Sequence, residues 1–177
     1  MPGSSGEASH ELVDVVDAHD TVVATVTRAE MRSRRLRHRA VSIAVFAPNG
    51  RLLVHRRADT KDVWPGMWDI AAGGVVAAGE AYDDAARREL AEELGVVDEP
   101  LEHLGEGSFE DDDVALFAQA YRCTTVGPFV FTDGEIAEVR WVDRAGLEAM
   151  MRTERFVPDN IALLLPLLLP LLLPMLS

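Results

Sequence analysis

The stretch from Gly74 to Val96, GVVAAGEAYDDAARRELAEELGV, constrains this chain more than any other. Ala85, Ala86, Leu90 and Leu94 recur near the helical period and predict a helix with one apolar stripe. Gly95 stands where a left-handed cap would end it. Glu89 and Glu93 are four apart and Glu89 and Glu92 three apart, so three carboxylates crowd one sector. Like charges at such spacings cost roughly 0.2–0.5 kcal/mol per pair. Acids in the last turn also face the negative end of the helix dipole. Arg88 relieves part of this by pairing with Glu89 or Glu92, but it does not neutralise three acids and Glu80 together. A hard divalent cation would. Mg²⁺ prefers carboxylate oxygen, keeps several waters and is usually shared with substrate phosphates. The rival reading is a solvated, salt-bridged helix face.

Composition narrows the partners. The 177 residues suffice for one domain with its own core. A formal net charge of −13 argues against binding a nucleic-acid backbone, which needs clustered Lys and Arg. It also leaves a phosphate substrate dependent on metal ions for charge compensation. A lone cysteine, Cys123, allows no disulfide within the chain and sits in an apolar run, so it reads as a core thiol. Residues 1–10 are small and polar, without the apolar core of a signal peptide, and read as a disordered tail. A cytoplasmic location is the expectation.

Along the chain, Leu12–Val16 and Val22–Val26 predict a β-hairpin. A short helix follows from Thr27 or Arg28 toward Leu36. Arg32, Arg34, Arg35, Arg37 and Arg39 form a basic run, read as a solvated face or as one or two phosphate contacts. Ala40–Ala47 and Arg51–Arg57 predict strands joined by the Pro48-Asn49-Gly50 turn. Arg56, near the end of the second, is a candidate diphosphate ligand by bidentate pairing. Trp64 and Trp68 flank a loop, as core plugs or as stacking residues. The paired Gly73 and Gly74 let the backbone approach a metal or phosphate. Two more strands span Leu101–Phe109 and Val114–Cys123, with the acidic turn Glu110–Asp113 between them. Asp143 caps a helix running toward Arg152.

The C-terminus reads LLLPLLLPLLLP from Leu163 to Pro174. A proline at every turn predicts that no regular helix forms. The run is also short of the ~20 residues a membrane-spanning helix needs. It is expected to be a disordered apolar tail, a segment packed on the domain or on a dimer partner, or a sticky patch. The domain is therefore drawn over residues 11–160, with 161–177 as a Leu/Pro-rich tail.

Gly74, Glu80 and the run Arg88-Glu89-Leu90-x-Glu92-Glu93-x-Gly95-Val96 together resemble a complete Nudix box. The resemblance implies an α/β/α sandwich with a mixed central sheet, here preceded by a β-hairpin. It also implies Mg²⁺- or Mn²⁺-dependent cleavage of a diphosphate linkage. Glu89, Glu92 and Glu93 match metal- or water-holding glutamates, Arg88 the arginine that orients a glutamate, and Glu80 a support of the box loop. Glu135 and Glu138 fall in a segment similar to one where an acid precedes the last strand. Either is an extra metal ligand or base, and Glu138 a substrate contact with Arg56 and Gly74. A small-molecule diphosphate is the implied substrate, and a homodimer is expected from the family and the apolar tail.

A second resemblance is to the isopentenyl-diphosphate isomerase-like branch. It rests on Leu36–Arg39, Leu52–Arg57 and Lys61–Asp69 and covers residues 12–158 with the box and hairpin. His38 matches a metal-binding histidine of that branch, and its acidic pair falls on Glu110 and Asp112. The isomerase cysteine falls on Ala72, however, and another metal-binding histidine on Gly74. Without the thiol, proton transfer at an alkene carbon lacks one of its two actors. Hydrolysis is the expectation, with isomerisation and a non-catalytic nucleotide sensor as the alternatives.

Overall fold

A computed structural model describes residues 9–131 and 134–172. Nine strands and five helices are named. They are β1 (Leu12–Val16), β2 (Val22–Thr27), α1 (Arg28–Ser33), β3 (His38–Phe46), β4 (Leu52–Arg57), β5 (Trp68–Asp69), β6 (Ala72–Val75), α2 (Tyr82–Leu94), β7 (Glu102–Glu110), β8 (Ala115–Thr124), β9 (Ile136–Val142), α3 (Arg144–Thr153), α4 (Pro158–Leu163) and α5 (Leu165–Leu168).

β3 is the hub because its residues are apolar on both faces. It runs parallel to β8 from the His38–Leu116 pair to the Phe46–Thr124 pair. It is antiparallel to β6 from Ala40–Val75 to Ile43–Ala72. Alternation sends Val41, Ile43 and Val45 toward α2, where Ala85, Ala86, Leu90 and Leu94 meet them. Ala44 and Phe46 face the other way, toward Leu147 of α3 and Leu164 and Leu168. Helices thus cover both faces of a mixed sheet, the α/β/α sandwich expected. β1 and β2 form the expected hairpin, from Leu12–Thr27 to Val16–Val22. β3 and β4 share only the Phe46–Leu52 pair. Beyond it β6 takes β3 and β9 takes β4, so the sheet splits.

The proline-rich C-terminus departs from expectation. Its turns are helical, and the boundary drawn at residue 160 falls inside α4. Pro166 sits in the first turn of α5, where its missing N–H is not needed. Bonds from Leu164 N to Asn160 O (2.9 Å), Leu168 N to Leu164 O (3.1 Å) and Leu172 N to Leu168 O (3.0 Å) carry the chain past both prolines. The period of four puts Leu164, Leu168 and Leu172 on one face, each at most 1% exposed. Leu163 and Leu167 lie over Gly107 and Gly105 of β7, where a Cβ would stand 2.9 and 3.2 Å from them. The segment is therefore part of the core. Leu168→Ala is expected to cost about 2–4 kcal/mol, read as a lowered urea midpoint at unchanged slope. Pro174 and residues 1–8 of the N-terminal tail lie outside the described residues; Ser9 and His10 are helical. Among the described residues no helix is long and apolar enough to cross a membrane.

Candidate active site

α2 ends as its sequence requires. Gly95 adopts φ 67° and donates to Ala91 O at 2.9 Å. The helix lies across β6, and its inward face carries Glu89 and Glu93 along with Leu90 and Leu94. Glu92 does not share this burial: its side chain is 57% exposed. Gly73 N donates to Glu93 Oε2 at 3.1 Å. A Cβ on Gly73 would fall 2.0 Å from Val41 O, and one on Gly74 would fall 2.6 Å from the Glu89 carboxylate. The two glycines thus let strand, sheet and carboxylates close up.

Arg88 joins the acids. Its Nε and Nη2 donate to the two oxygens of Glu80, both at 2.9 Å. Nη1 donates to Glu89 at 2.7 Å and Glu92 at 3.3 Å, and Nη2 also to Val75 O at 3.2 Å. Glu80 accepts from Ala77 N as well (2.9 Å), which ties the loop before the helix to the same node. The Arg88 bonds hold Glu80 below the usual carboxylate range. Burial pushes Glu89 up, against the pull of Arg88. Burial, then repulsion from Glu89, pushes Glu93 well above its ordinary value.

Gly73, Gly74, Arg88, Glu89, Glu92 and Glu93 line a cleft of about 970 Å³, whereas Glu80 stands behind Arg88, outside the lining. Arg28, Arg32, Arg57 and Lys61 line it too. Arg32 and Arg57 each bury an Nε with no hydrogen-bond partner among the described residues. The chain is acidic overall, yet its cleft carries a cation cluster beside the box carboxylates.

Several expected residues stand elsewhere. Arg56 points away from the cleft and pairs with Asp59 (3.5 Å) and Glu138 (4.0 Å). On β4, Leu53 faces α2, so alternation puts His55 and Arg57 on that side and Arg56 on the other. Opposite Arg56 and Arg57 the ladder shifts register, with Ala137 of β9 as the extra residue. Glu138 is outside the cleft lining for the same reason, pairing with Arg140 at 2.7 Å. Glu135 does line the cleft, ion-paired with Lys61. Glu110 is held by Arg37 (2.6 Å) and Arg35 (3.3 Å) at the β7–β8 turn, outside the cleft lining. Asp112 is exposed in that turn, also outside it. His38 lines the cleft at 3% exposure, its Nδ1 3.1 Å from Leu36 O. Burial, then the nearby Arg32, lowers it to about 4, so it is neutral at pH 7. Trp68 is a core plug at 2% exposure, whereas Trp64 lines the cleft.

The sequence reading missed Arg57, Lys61, Asp69, Asp159 and Asn160. Alternation along β4 would have found Arg57. Nothing local pairs Asp69 with Asn160, whose Nδ2 donates to it at 2.7 Å across 91 residues.

Among the described residues, no three or more His, Cys, Asp or Glu side chains converge as a ready metal cage. The donor set nonetheless fits a hard cation. Glu89 and Glu93 are carboxylates one turn apart, desolvated together, and the charge between them is only partly answered by Arg88.

The model of the NUDIX domain matches residues 36–161. The uncharacterized Nudix hydrolase YfcD of Escherichia coli K12 is 41% identical over 89% of this chain and 86% of its own length. The uncharacterized Nudix hydrolase PA4841 of Pseudomonas aeruginosa is 37% identical over 87% of this chain and 91% of its own. The crystal structure of DR0079 from Deinococcus radiodurans superposes with a TM-score of 0.74 at 27% identity, covering 86% of this chain and 96% of that one. With its box arranged around Arg88 on this sandwich, the chain belongs to the Nudix hydrolase family.

Proposed function

We propose that the chain hydrolyses a diphosphate linkage in a nucleoside diphosphate derivative or similar small molecule, using Mg²⁺ or Mn²⁺. The observation that carries this reading is the pair of buried carboxylates, Glu89 and Glu93, in one cleft with Arg32 and Arg57, whose buried Nε groups make no hydrogen bond among the described residues. Glu89 and Glu93 would hold the cation, with Glu92 at its outer edge. Two or three carboxylates suit Mg²⁺, which completes its shell with water and phosphate oxygen. When bound, the ion supplies charge neutralisation and a water of lowered pKa.

The protein's own residues do the rest. Arg88 fixes the direction of Glu89 and shields it from Glu92. Glu92, exposed at the cleft, would accept a proton from water. Arg28, Arg32, Arg57 and Lys61 hold the phosphates, so that attack is a matter of position and charge.

Isomerisation is not favoured. Ala72 is 3% exposed in β6, paired with Ile43, and brings no thiol. Cys123 is buried at 2% exposure, its thiol pushed up to about 12, and lies outside the cleft lining. A sensor would not need the box carboxylates, and here all are present and engaged.

The test is product release from nucleotide sugars, dinucleotides, nucleoside triphosphates and isoprenoid diphosphates, with Mg²⁺, Mn²⁺ or EDTA. Metal-dependent release of monophosphates is expected, abolished by EDTA. Isomerised isopentenyl diphosphate without phosphate release would overturn the proposal.

A further inference from the structure

The proposed reaction leaves the N-terminal hairpin without a role, yet the box is fastened to it. β2 takes one edge of β1. On the other edge β1 meets β3 in the single pair Val15–His38, and the box loop continues alongside. Ala77 bridges Val13, and Ala78 N donates to Leu12 O at 2.8 Å. Asp14, 8% exposed, completes this seam, for Gly79 N donates to its Oδ2 at 3.0 Å. The Thr25 hydroxyl of β2 donates to Oδ1 at 2.8 Å and fixes the carboxylate from behind. Burying that carboxylate costs stability unless its acceptors are filled, and the box loop is what fills one of them.

The start of α2 is held from the same side. Ala81, its N-cap, makes no side-chain cap hydrogen bond, so the helix lacks the usual local anchor. Tyr82, the first helical residue, instead donates its hydroxyl to Asp20 Oδ1 at 2.9 Å, in the hairpin turn. Arg39 of β3 donates to that oxygen at 2.7 Å and to Asp20 O at 2.9 Å, and stands 5.5 Å above the Tyr82 ring. Glu80 thus lies between two fastenings, Asp14 at Gly79 and Asp20 at Tyr82. Its two oxygens grip Arg88, which donates to Glu89 at 2.7 Å. A bonded path therefore runs from the hairpin to a proposed cation ligand. The hairpin has its own apolar hold, Val13 and Val26 against Met31 and Val75, which needs neither aspartate.

We propose that Asp14 and Asp20 are positioning residues for the cation site. They fix the entry into α2 and, through Glu80 and Arg88, the direction of Glu89. The inference rests on the hydrolytic reading, which puts the cation at Glu89 and Glu93. Neither aspartate lines the cleft, so neither touches cation or substrate. Both precede residues 36–161, which match the NUDIX domain, so the brace reaches the box from outside that domain. A hairpin that only covered the core would need its apolar contacts alone. Partners behind a metal ligand set its orientation, and here the chain of partners ends on the hairpin.

Mn²⁺ titration read by electron paramagnetic resonance, which counts free ion, tests this without turnover. Asp14→Ala is expected to weaken Mn²⁺ binding about ten-fold, the low end for partners standing behind metal ligands. Asp14→Asn is expected to stay within about two-fold of wild type, because its carbonyl accepts from Gly79 N and its amide donates to the Thr25 hydroxyl. Val26→Ala is the control. It thins the hairpin's packing and leaves both aspartates in place, so it should melt lower and bind Mn²⁺ as wild type does. Tyr82→Phe removes only the hydroxyl that Asp20 holds and is expected to weaken binding about three-fold. It decides the question if Asp14→Ala does not fold, and unchanged affinity would then overturn the proposal. With Asp14→Ala folded, the proposal is overturned if that variant binds Mn²⁺ as wild type does, or if Asp14→Asn or Val26→Ala loses as much as it does. Wild type that binds no Mn²⁺ would sink the hydrolytic reading and this proposal with it. Mn²⁺-dependent hydrolysis, with binding indifferent to Asp14 and Tyr82, would keep that reading and sink the brace alone.

Discussion

Glu93→Gln is expected to lower turnover by about 10²–10⁴-fold, roughly 3–5 kcal/mol of barrier, and to leave the fold intact. The substitution changes charge and almost nothing else. Glutamine keeps an oxygen for the 3.1 Å bond from Gly73 N. It keeps the volume of a side chain that is 6% exposed. What it loses is a negative oxygen beside Glu89. The stability signature separates this from damage. In the metal-free protein the Glu93 carboxyl is raised, so its ionisation is harder in the folded than in the unfolded state. That penalty is absent below the unfolded value, 4.5, and grows as pH rises through and above it. The glutamine variant has no such penalty. Without metal at neutral pH it should melt no lower than wild type. Wild type should then gain melting temperature on adding Mg²⁺, and the variant should gain much less. Near-normal turnover in Glu93→Gln, with cation-induced stabilisation retained, would sink the assignment of Glu93.

How much of this was legible before the structure depends on the range of each interaction. Everything inside the box is local. The apolar stripe, the Gly95 cap and the crowding of Glu89, Glu92 and Glu93 follow from residues within two turns of one another. Which acids are buried does not, because the sheet decides it. β6 presses on Glu89 and Glu93 and leaves Glu92 outside. Arg56 and Arg57 show the same limit at a strand end. Adjacent arginines are equal candidates until Leu53 fixes the face of β4. Glu110 and Asp112 came from a family correspondence, and Arg35 and Arg37, from the connection between α1 and β3, claim Glu110 instead. The leucine-proline run misled for a different reason. Helix propensity penalises each proline, but Leu164, Leu168 and Leu172 bury one continuous face, and tertiary burial outweighs propensity there.

Arg88→Ala should be the most damaging single change that leaves the carboxylates themselves untouched. Five hydrogen bonds from one guanidinium reach Glu80, Glu89, Glu92 and Val75 O. Removing it strands Glu80 and Glu89, whose side chains are 18% and 11% exposed. Breaking a fully buried pair costs about 3–5 kcal/mol. Arg88 is itself 30% exposed, so water screens part of that, and about 2–3 kcal/mol is expected. For a chain of this size that is a fall of roughly 5–10 °C in melting temperature. The pH dependence identifies the cause. Arg88 holds Glu80 below its ordinary value. The stability this gives is present above the unfolded carboxyl value and is lost as pH falls through the folded one. Melting curves taken from neutral toward acid pH should therefore fall less steeply for the variant. Turnover should drop about 10²-fold, because Glu89 loses the 2.7 Å bond that aims it. Arg88→Lys restores the charge but not the fork that grips both Glu80 oxygens. It should recover stability more than turnover. Equal recovery of both would mean that Arg88 acts as a charge alone, and the positioning role assigned to its geometry would be wrong.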